Sequence, residues 1–146
     1  MKKTILFYYS VHHGNTQKLA EAAKARLGAT IVRLPCKEMP DVRNYELVGF
    51  LSGIYLSDFG KPILALIDSL DLTGKTCCAA YTCGSPFGKY GEKVEARLSG
   101  KGAQVLPGFS CRGYDTFGLL KWIGGIARKH PNAADVDAFV RYLEAL

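Results

Sequence analysis

The residues best suited to chemistry stand near the start of the chain, in the segment Ser10-Val11-His12-His13-Gly14-Asn15-Thr16. This segment follows a short apolar run and precedes an amphipathic stretch, a pattern that predicts a turn between a strand and a helix. At such a turn the free backbone N–H groups and the positive end of the helix dipole attract phosphate. Ser10, Asn15 and Thr16 add hydroxyl and amide donors, and Gly14 lets the backbone approach phosphate oxygens. The segment therefore predicts a phosphate-binding loop, although an ordinary helix cap would use the same residue types.

Two histidines, His12 and His13, stand inside this loop, which contains no lysine or arginine. A nearby phosphate would favour the protonated imidazole and raise its pKa. Neutral hydrogen-bond donors and solvent-facing side chains are equally compatible with the sequence.

Other phosphate-binding motifs are excluded. Gly74-Lys75-Thr76 resembles the end of a nucleotide-binding P-loop, but Ser69 stands where the earlier glycine is required, and the motif precedes a strand instead of following one. No Gly-x-Gly-x-x-Gly segment occurs, so the sequence has no dinucleotide-binding fingerprint.

The five cysteines do not indicate a metal site. Their number is odd and no Cys-x-x-Cys pair occurs, so we expect neither zinc nor an iron–sulfur cluster. Cys77 and Cys78 are neighbours in a predicted strand and should point to opposite faces of the sheet. We expect reduced thiols in a reducing compartment.

The composition predicts a single globular domain over residues 1–146, with 48% hydrophobic and 22% charged residues. No apolar stretch approaches the roughly 20 residues that a membrane helix needs. The apolar run near the N-terminus is short and lacks a small-residue cleavage site, so we expect a cytoplasmic protein without membrane insertion. The net charge of +6 is spread along the chain without a basic block. It therefore gives no support for nucleic-acid binding and suits an acidic protein partner.

Short apolar runs alternate with helical patterns, as in a parallel α/β sheet. Helices are predicted from about residue 15 to Gly28, from Lys61-Pro62 onward, over 89–99 and after the cap Asn132. Strands are predicted at 4–9, 30–34, 47–50, 75–81 and 104–111, the last interrupted by Pro107-Gly108. The glycine-containing segments 51–60 and 82–88 are predicted to be loops. The pattern predicts a doubly wound five-stranded parallel sheet, with ligands beyond the carboxyl ends of the strands.

The whole chain resembles the flavodoxin family. The first loop is similar to the family's FMN-phosphate loop, with one residue inserted and two histidines replacing small hydroxyl residues. The resemblance continues through segment 48–55, through Tyr81-Thr82-Cys83-Gly84 and through Cys111-Arg112-Gly113. It implies a flavodoxin-like three-layer sandwich that binds FMN and carries single electrons between redox proteins.

The resemblance also implies a cofactor site built from three loops. FMN phosphate would lie in loop 10–16, and the flavin ring would lie between loops 51–60 and 82–90. Tyr55, Phe87 and Tyr90 are candidates to stack on the ring, although each could instead be a core aromatic. The backbone carbonyl of Gly53 would lie beside flavin N5. The full set of expected cofactor-binding residues is Ser10, His12, His13, Gly14, Asn15, Thr16, Ser52, Gly53, Ile54, Tyr55, Thr82, Cys83, Gly84, Phe87 and Tyr90.

Two other functions remain open at this point. One is a small FMN-dependent reductase using NAD(P)H or a quinone, for which the sequence offers no pyridine-nucleotide motif. The other is an interaction protein that kept the fold without the flavin. The apolar segment around Phe117–Ile126 could supply a docking or dimer surface, or it could cover the sheet edge.

Overall fold

The computed structural model describes residues 2–11, 13–84, 89–114, 124–127 and 129–146. Seven strands and four α-helices make up these parts, in the order β1 Thr4–Tyr9, α1 Asn15–Leu27, β2 Thr30–Arg33, β3 Leu47–Tyr55, β4 Asp58–Phe59, α2 Lys61–Ser69, β5 Thr76–Cys83, α3 Gly91–Gly100, β6 Gln104–Val105, β7 Phe109–Arg112 and α4 Ala133–Ala145. A short 3₁₀ helix, Val42–Asn44, precedes β3.

The sheet has the strand order β2-β1-β3-β5-β6, and these five strands are parallel. β7 also pairs with β5 in parallel, whereas β4 pairs antiparallel with the end of β3. The order of connection reverses between β1 and β3, so the carboxyl ends of these strands form the switch point where ligands bind in such sheets. The predicted parallel sheet is confirmed, with two short strands in addition.

Alternating side chains divide the core into two layers. Ile5 and Phe7 pack with the layer that contains α2 and α3, and Leu6 and Tyr8 pack with the layer that contains α1 and α4. Helices therefore cover both faces, which gives the predicted three-layer sandwich. Cys77 and Cys78 lie in opposite layers, as their adjacency in a strand predicted.

The helix ends follow local rules. Gly28 ends α1 with φ of 68°, a conformation that glycine adopts without steric cost. Asn132 begins α4 through a capping box, in which its side chain accepts from the Asp135 N–H and the Asp135 carboxylate accepts from the Asn132 N–H. Both boundaries agree with the sequence prediction.

The prediction of a loop over 51–60 is wrong. β3 continues to Tyr55, and residues 54–59 form a tight hairpin with β4. The strand continues because its later residues still pair with β5, Ser52 with Tyr81 and Gly53 with Thr82. β5 likewise extends to Cys83, so Thr82 and Cys83 belong to a strand and not to the predicted turn.

The predicted strand over 104–111 is two strands, β6 and β7, separated at Leu106–Gly108. Pro107 has no backbone N–H to donate to a sheet, and its carbonyl instead accepts from the Tyr142 hydroxyl at 2.6 Å. In the part of the chain that the structure describes, no helix is long and apolar enough to cross a membrane.

Candidate functional site

A narrow cleft lies at the carboxyl ends of β1, β3 and β5. Nine of the fifteen predicted site residues line it, together with two residues that follow β7: Ser10, Asn15, Thr16, Gly53, Ile54, Tyr55, Thr82, Cys83, Gly84, Gly113 and Tyr114. The cavity volume is about 40 Å³. That volume accommodates a group of a few heavy atoms, such as a phosphate, so a larger ligand must extend beyond it.

The start of α1 forms one wall of the cleft. Gly14 precedes the helix with φ of 64°, and no described side chain caps the first turn. The backbone N–H groups of the first turn of α1 are therefore available to a ligand in the cleft, where the helix dipole favours an anion. Ser10 is 5% exposed and Thr16 is 1% exposed, so their hydroxyl groups lie inside the fold beside this turn.

Hydrogen bonds tie this turn to the other sides of the cleft. The hydroxyl groups of Thr16 and Thr82 lie 3.1 Å apart, which links α1 to the end of β5. The Asn15 amide donates to the Tyr114 carbonyl at 2.8 Å, which links α1 to the chain after β7. Tyr114 is held in turn, because its N–H donates to the His130 carbonyl at 2.9 Å.

Asn15 carries a polar atom that the described residues leave unsatisfied. Its Oδ1 is buried and has no hydrogen-bond partner among them, and the residue is 8% exposed. A buried acceptor without a partner costs about 1–3 kcal/mol. A hydroxyl or N–H group of a ligand in the cleft would remove that cost.

Gly113 is required by close packing against Asn15. A Cβ at this position would lie 2.6 Å from Asn15 Nδ2 and 3.1 Å from Thr82 Cβ. Sequence reasoning missed Gly113 and Tyr114 as site residues. The available signal was the position of β7 beside β5, which brings the residues after it to the same edge of the sheet.

Tyr55 crosses from the hairpin to the first loop. Its hydroxyl accepts from the Val11 N–H at 3.2 Å, and its ring meets the Tyr9 ring edge-on at 5.5 Å. The ring also lies over Gly53, where a Cβ would be 2.9 Å from the Tyr55 hydroxyl. Burial raises the pKa of this phenol, so the hydroxyl is neutral.

Ser52 supports the cleft from below instead of lining it. Its hydroxyl donates to the Gly53 carbonyl at 2.6 Å and accepts from the Gly60 N–H at 2.8 Å. This fully buried side chain holds the hairpin in place, and its contact with a cofactor stays a prediction.

The remaining predicted residues lie apart from the cleft or outside the described residues. Tyr90 meets the Tyr81 ring edge-on at 5.8 Å and does not line the cleft. His13 is exposed, with its ring 4.0 Å from that of Tyr114. Gly14 belongs to the loop without lining the cavity. His12, Phe87 and residues 117–123 of the predicted docking segment lie outside the described residues.

The described side chains that line the cleft carry hydroxyl, amide, phenol and thiol groups. The eleven residues include no histidine, carboxylate or lysine. Arg112 precedes the lining residue Gly113, and its guanidinium donates two hydrogen bonds, of 3.1 Å and 3.3 Å, to the Gly84 carbonyl. Among the described residues no group of histidine, cysteine and acidic side chains is arranged to hold a metal ion.

Solved structures with the same architecture are flavodoxins and related flavoproteins. An oxidised flavodoxin from Bacillus cereus aligns with a TM-score of 0.69 and 20% identity, over 99% of both chains. A flavodoxin from the domain Archaea gives a TM-score of 0.70 at 15% identity, over 94% of this chain and 92% of that one. A flavoprotein from Lactobacillus acidophilus, solved in complex with FMN, gives 0.63 at 19% identity, over 84% and 99%. At these identities the likeness shows the fold.

The sequence comparison gives a nearer relative. An uncharacterized protein of Methanocaldococcus jannaschii is 37% identical over 147 aligned positions, which cover 99% of this chain and 97% of the relative. No protein-family model matches the chain. The chain therefore belongs to the same family as this archaeal protein, and its fold is flavodoxin-like.

Proposed function

We propose that this protein binds FMN and carries single electrons between redox proteins. The observation that carries the proposal is the start of α1, which no described side chain caps, in a cleft where the buried Asn15 Oδ1 has no hydrogen-bond partner among the described residues. The start of α1 attracts an anionic group such as a phosphate. The Asn15 Oδ1 can accept a hydrogen bond from a hydroxyl group of the ligand. The flavodoxin-like fold, and the FMN held by the similar Lactobacillus flavoprotein, support FMN as that ligand.

The residues present fit such a cofactor. The backbone N–H groups of the first loop and the hydroxyl groups of Ser10 and Thr16 would hold the phosphate, and the Asn15 Oδ1 would accept from a hydroxyl group of the ligand. The end of β3, from Gly53 to Tyr55, would contact the ring system, together with Thr82 and Cys83 at the end of β5 and the following Gly84. FMN, when bound, supplies the one-electron chemistry; the protein supplies orientation and sets the electrostatic environment.

An electron carrier suits this lining better than a substrate-converting enzyme. Among the described residues that line the cleft there is no histidine, carboxylate or lysine, and their cavity of about 40 Å³ is small for a second substrate. The five cysteines, all among the described residues, form no disulfide, and burial raises the pKa of Cys77 to about 11 and of Cys78 to about 12. At neutral pH these thiols stay protonated and react slowly with oxidants, because the thiolate is the reactive form.

A visible absorption spectrum of the purified protein, followed through a reductive titration, tests the proposal. We expect a flavin spectrum and reduction in two separate one-electron steps. Rapid and saturable oxidation of NAD(P)H by the same sample would instead indicate a reductase. A colourless protein that takes up no added FMN would indicate an interaction protein.

A further inference from the structure

A histidine and an aspartate at the start of α4 form a pair that the capping of this helix does not require. His130 Nδ1 lies 2.6 Å from Asp135 Oδ2, and the two side chains are 29% and 20% exposed. Because a carboxylate only accepts hydrogen bonds, His130 Nδ1 is the donor. The same Oδ2 already accepts from the Asn132 N–H at 2.8 Å, which completes the capping box. The bond to His130 is therefore additional to the helix cap, and it fixes the imidazole against α4.

The backbone of His130 is held at both of its polar groups. Its N–H donates to the Ala127 carbonyl at 2.9 Å, and its carbonyl accepts from the Tyr114 N–H at 2.9 Å. The Tyr114 hydroxyl donates separately to the Gly124 carbonyl at 3.0 Å, and that bond holds the ring. His130 therefore connects the start of α4 to the backbone of Tyr114, a residue that lines the cleft.

The Tyr114 carbonyl determines which end of the Asn15 amide faces the cleft. Asn15 Nδ2 donates to this carbonyl at 2.8 Å, so Oδ1 lies on the opposite side of the amide, where it is buried and has no partner among the described residues. The last torsion of an asparagine side chain has only a broad, roughly two-fold preference, so hydrogen bonds decide its orientation. If the carbonyl moved, the amide would be free to turn and Oδ1 would no longer be held toward the cleft.

We propose that His130, held by Asp135, is a positioning residue for the cofactor. Through the backbone of Tyr114 it sets the orientation of the Asn15 amide, whose Oδ1 accepts from a hydroxyl group of the ligand. This inference rests on the proposed FMN site and adds to it two residues that do not line the cleft. Their effect on binding is limited to the one hydrogen bond that Asn15 Oδ1 makes, about fivefold in affinity.

The test measures the affinity for FMN, by quenching of flavin fluorescence, in variants of the full chain. His130→Leu removes the donor to Asp135 and should lower the affinity about fivefold. His130→Asn should restore most of it, because the asparagine Nδ2 stands at the same place along the side chain as the histidine Nδ1 and also donates. Equal losses in these two variants would overturn the proposal.

Asp137→Asn is the matched control on the same helix. Asp137 pairs with Arg26 of α1, so this substitution also removes a polar link of α4 to its neighbour. It leaves the pair of His130 and Asp135 in place and should leave the affinity for FMN unchanged. A loss equal to that of His130→Leu would contradict a specific role of His130.

A double variant separates positioning from general stability. Asn15→Ala removes the amide on which His130 acts and should itself lower the affinity for FMN about fivefold. If His130 acts through Asn15, His130→Leu should cause no further loss in the Asn15→Ala background. Losses that multiply, to about twenty-fivefold in the double variant, would overturn the proposal and assign the pair a structural role alone.

A measurement without FMN keeps this inference apart from the proposed function. In the ¹⁵N-labelled, flavin-free protein, the side-chain NH₂ signals of Asn15 report the hydrogen bond from Nδ2 to the Tyr114 carbonyl. His130→Leu should shift these signals, whereas Asp137→Asn should not. Unchanged signals in His130→Leu would overturn the positioning role even if FMN binds. The expected shift in a protein that takes up no FMN would refute the proposed function and support the link from His130 to Asn15.

Discussion

Gly113→Ala tests the close packing that holds the cleft together. The added Cβ would lie 2.6 Å from Asn15 Nδ2 and 3.0 Å from Asn15 Cγ, so the Asn15 side chain must move. That movement breaks the 2.8 Å hydrogen bond to the Tyr114 carbonyl. A hydrogen bond lost with a buried group left unpaired costs about 1–3 kcal/mol. We therefore expect the free energy of unfolding to fall by about 2 kcal/mol.

The same substitution should weaken FMN binding, because Asn15 would no longer present its Oδ1 to the cleft. One hydrogen bond of about 1 kcal/mol corresponds to an affinity about fivefold lower. Urea unfolding measures the first effect, and quenching of flavin fluorescence on titration measures the second.

Gly100→Ala is the matched control. Gly100 is the last residue of α3, and a Cβ there meets nothing within 4 Å. Alanine favours a helix by about 0.5–1 kcal/mol relative to glycine, so this variant should be neutral or slightly more stable, with unchanged FMN affinity. If Gly113→Ala behaved like Gly100→Ala in both assays, the packing of Gly113 against Asn15 would be refuted as a determinant of the site.

Three further predictions follow from the described contacts. Thr16→Val removes the buried hydroxyl pair with Thr82, so it should lower the free energy of unfolding by about 1 kcal/mol and weaken FMN binding; unchanged stability and affinity in urea unfolding and FMN titration would contradict a role for this pair. Burial raises the pKa of Cys78 to about 12, so this thiol ionises first in the unfolded chain. The stabilisation from this thiol should therefore be complete below about pH 9 and be lost as the pH rises toward 12. In Cys78→Ala the free energy of unfolding should fall less steeply with pH in this range, by about 1.4 kcal/mol per pH unit. An unchanged slope would contradict the assignment of this pH dependence to Cys78. The net charge of +6 favours the anionic, fully reduced FMN, so salt should raise the second reduction potential little; a strongly depressed potential that salt raises would show that the positive field does not reach the flavin.

The architecture was predictable because local signals agreed with the fold. Gly28 and Asn132 marked helix ends, and the alternation of apolar runs with helical patterns specified a parallel sheet. Cys77 and Cys78 lie in opposite layers of the core, because successive side chains of a strand point to opposite faces of the sheet.

The hairpin was not predictable from the same signals. Glycine at position 53 and polar residues at 57 and 58 indicate a loop, yet pairing with β5 extends β3 through Gly53. The turn itself uses leucine and serine where the sequence rules favour asparagine and glycine. Tertiary pairing thus outweighed local preference at the segment that borders the cleft, as is common near functional sites.

All three predicted loops contribute residues to the cleft, and the two lining residues that the prediction missed come from outside them. Ser10, Asn15 and Thr16 line the cleft because the strand–turn–helix geometry is local. Gly113 and Tyr114 reach it through the parallel pairing of β7 with β5, a contact between distant parts of the chain. Tyr90 does not line the described cleft, because its ring packs on Tyr81, and its contact with a flavin stays a prediction.

The most direct test of the central claim compares the affinities of the flavin-free protein for FMN and for riboflavin, which lacks the phosphate. Isothermal titration calorimetry at one salt concentration gives both values and the stoichiometry. Several hydrogen bonds from hydroxyl and backbone N–H donors to a charged phosphate, at about 1.5–3 kcal/mol each, predict one FMN per chain bound at least about a hundredfold more tightly than riboflavin. Equal affinities, or no binding of either flavin, would contradict a phosphate site in the loop from Ser10 to Thr16.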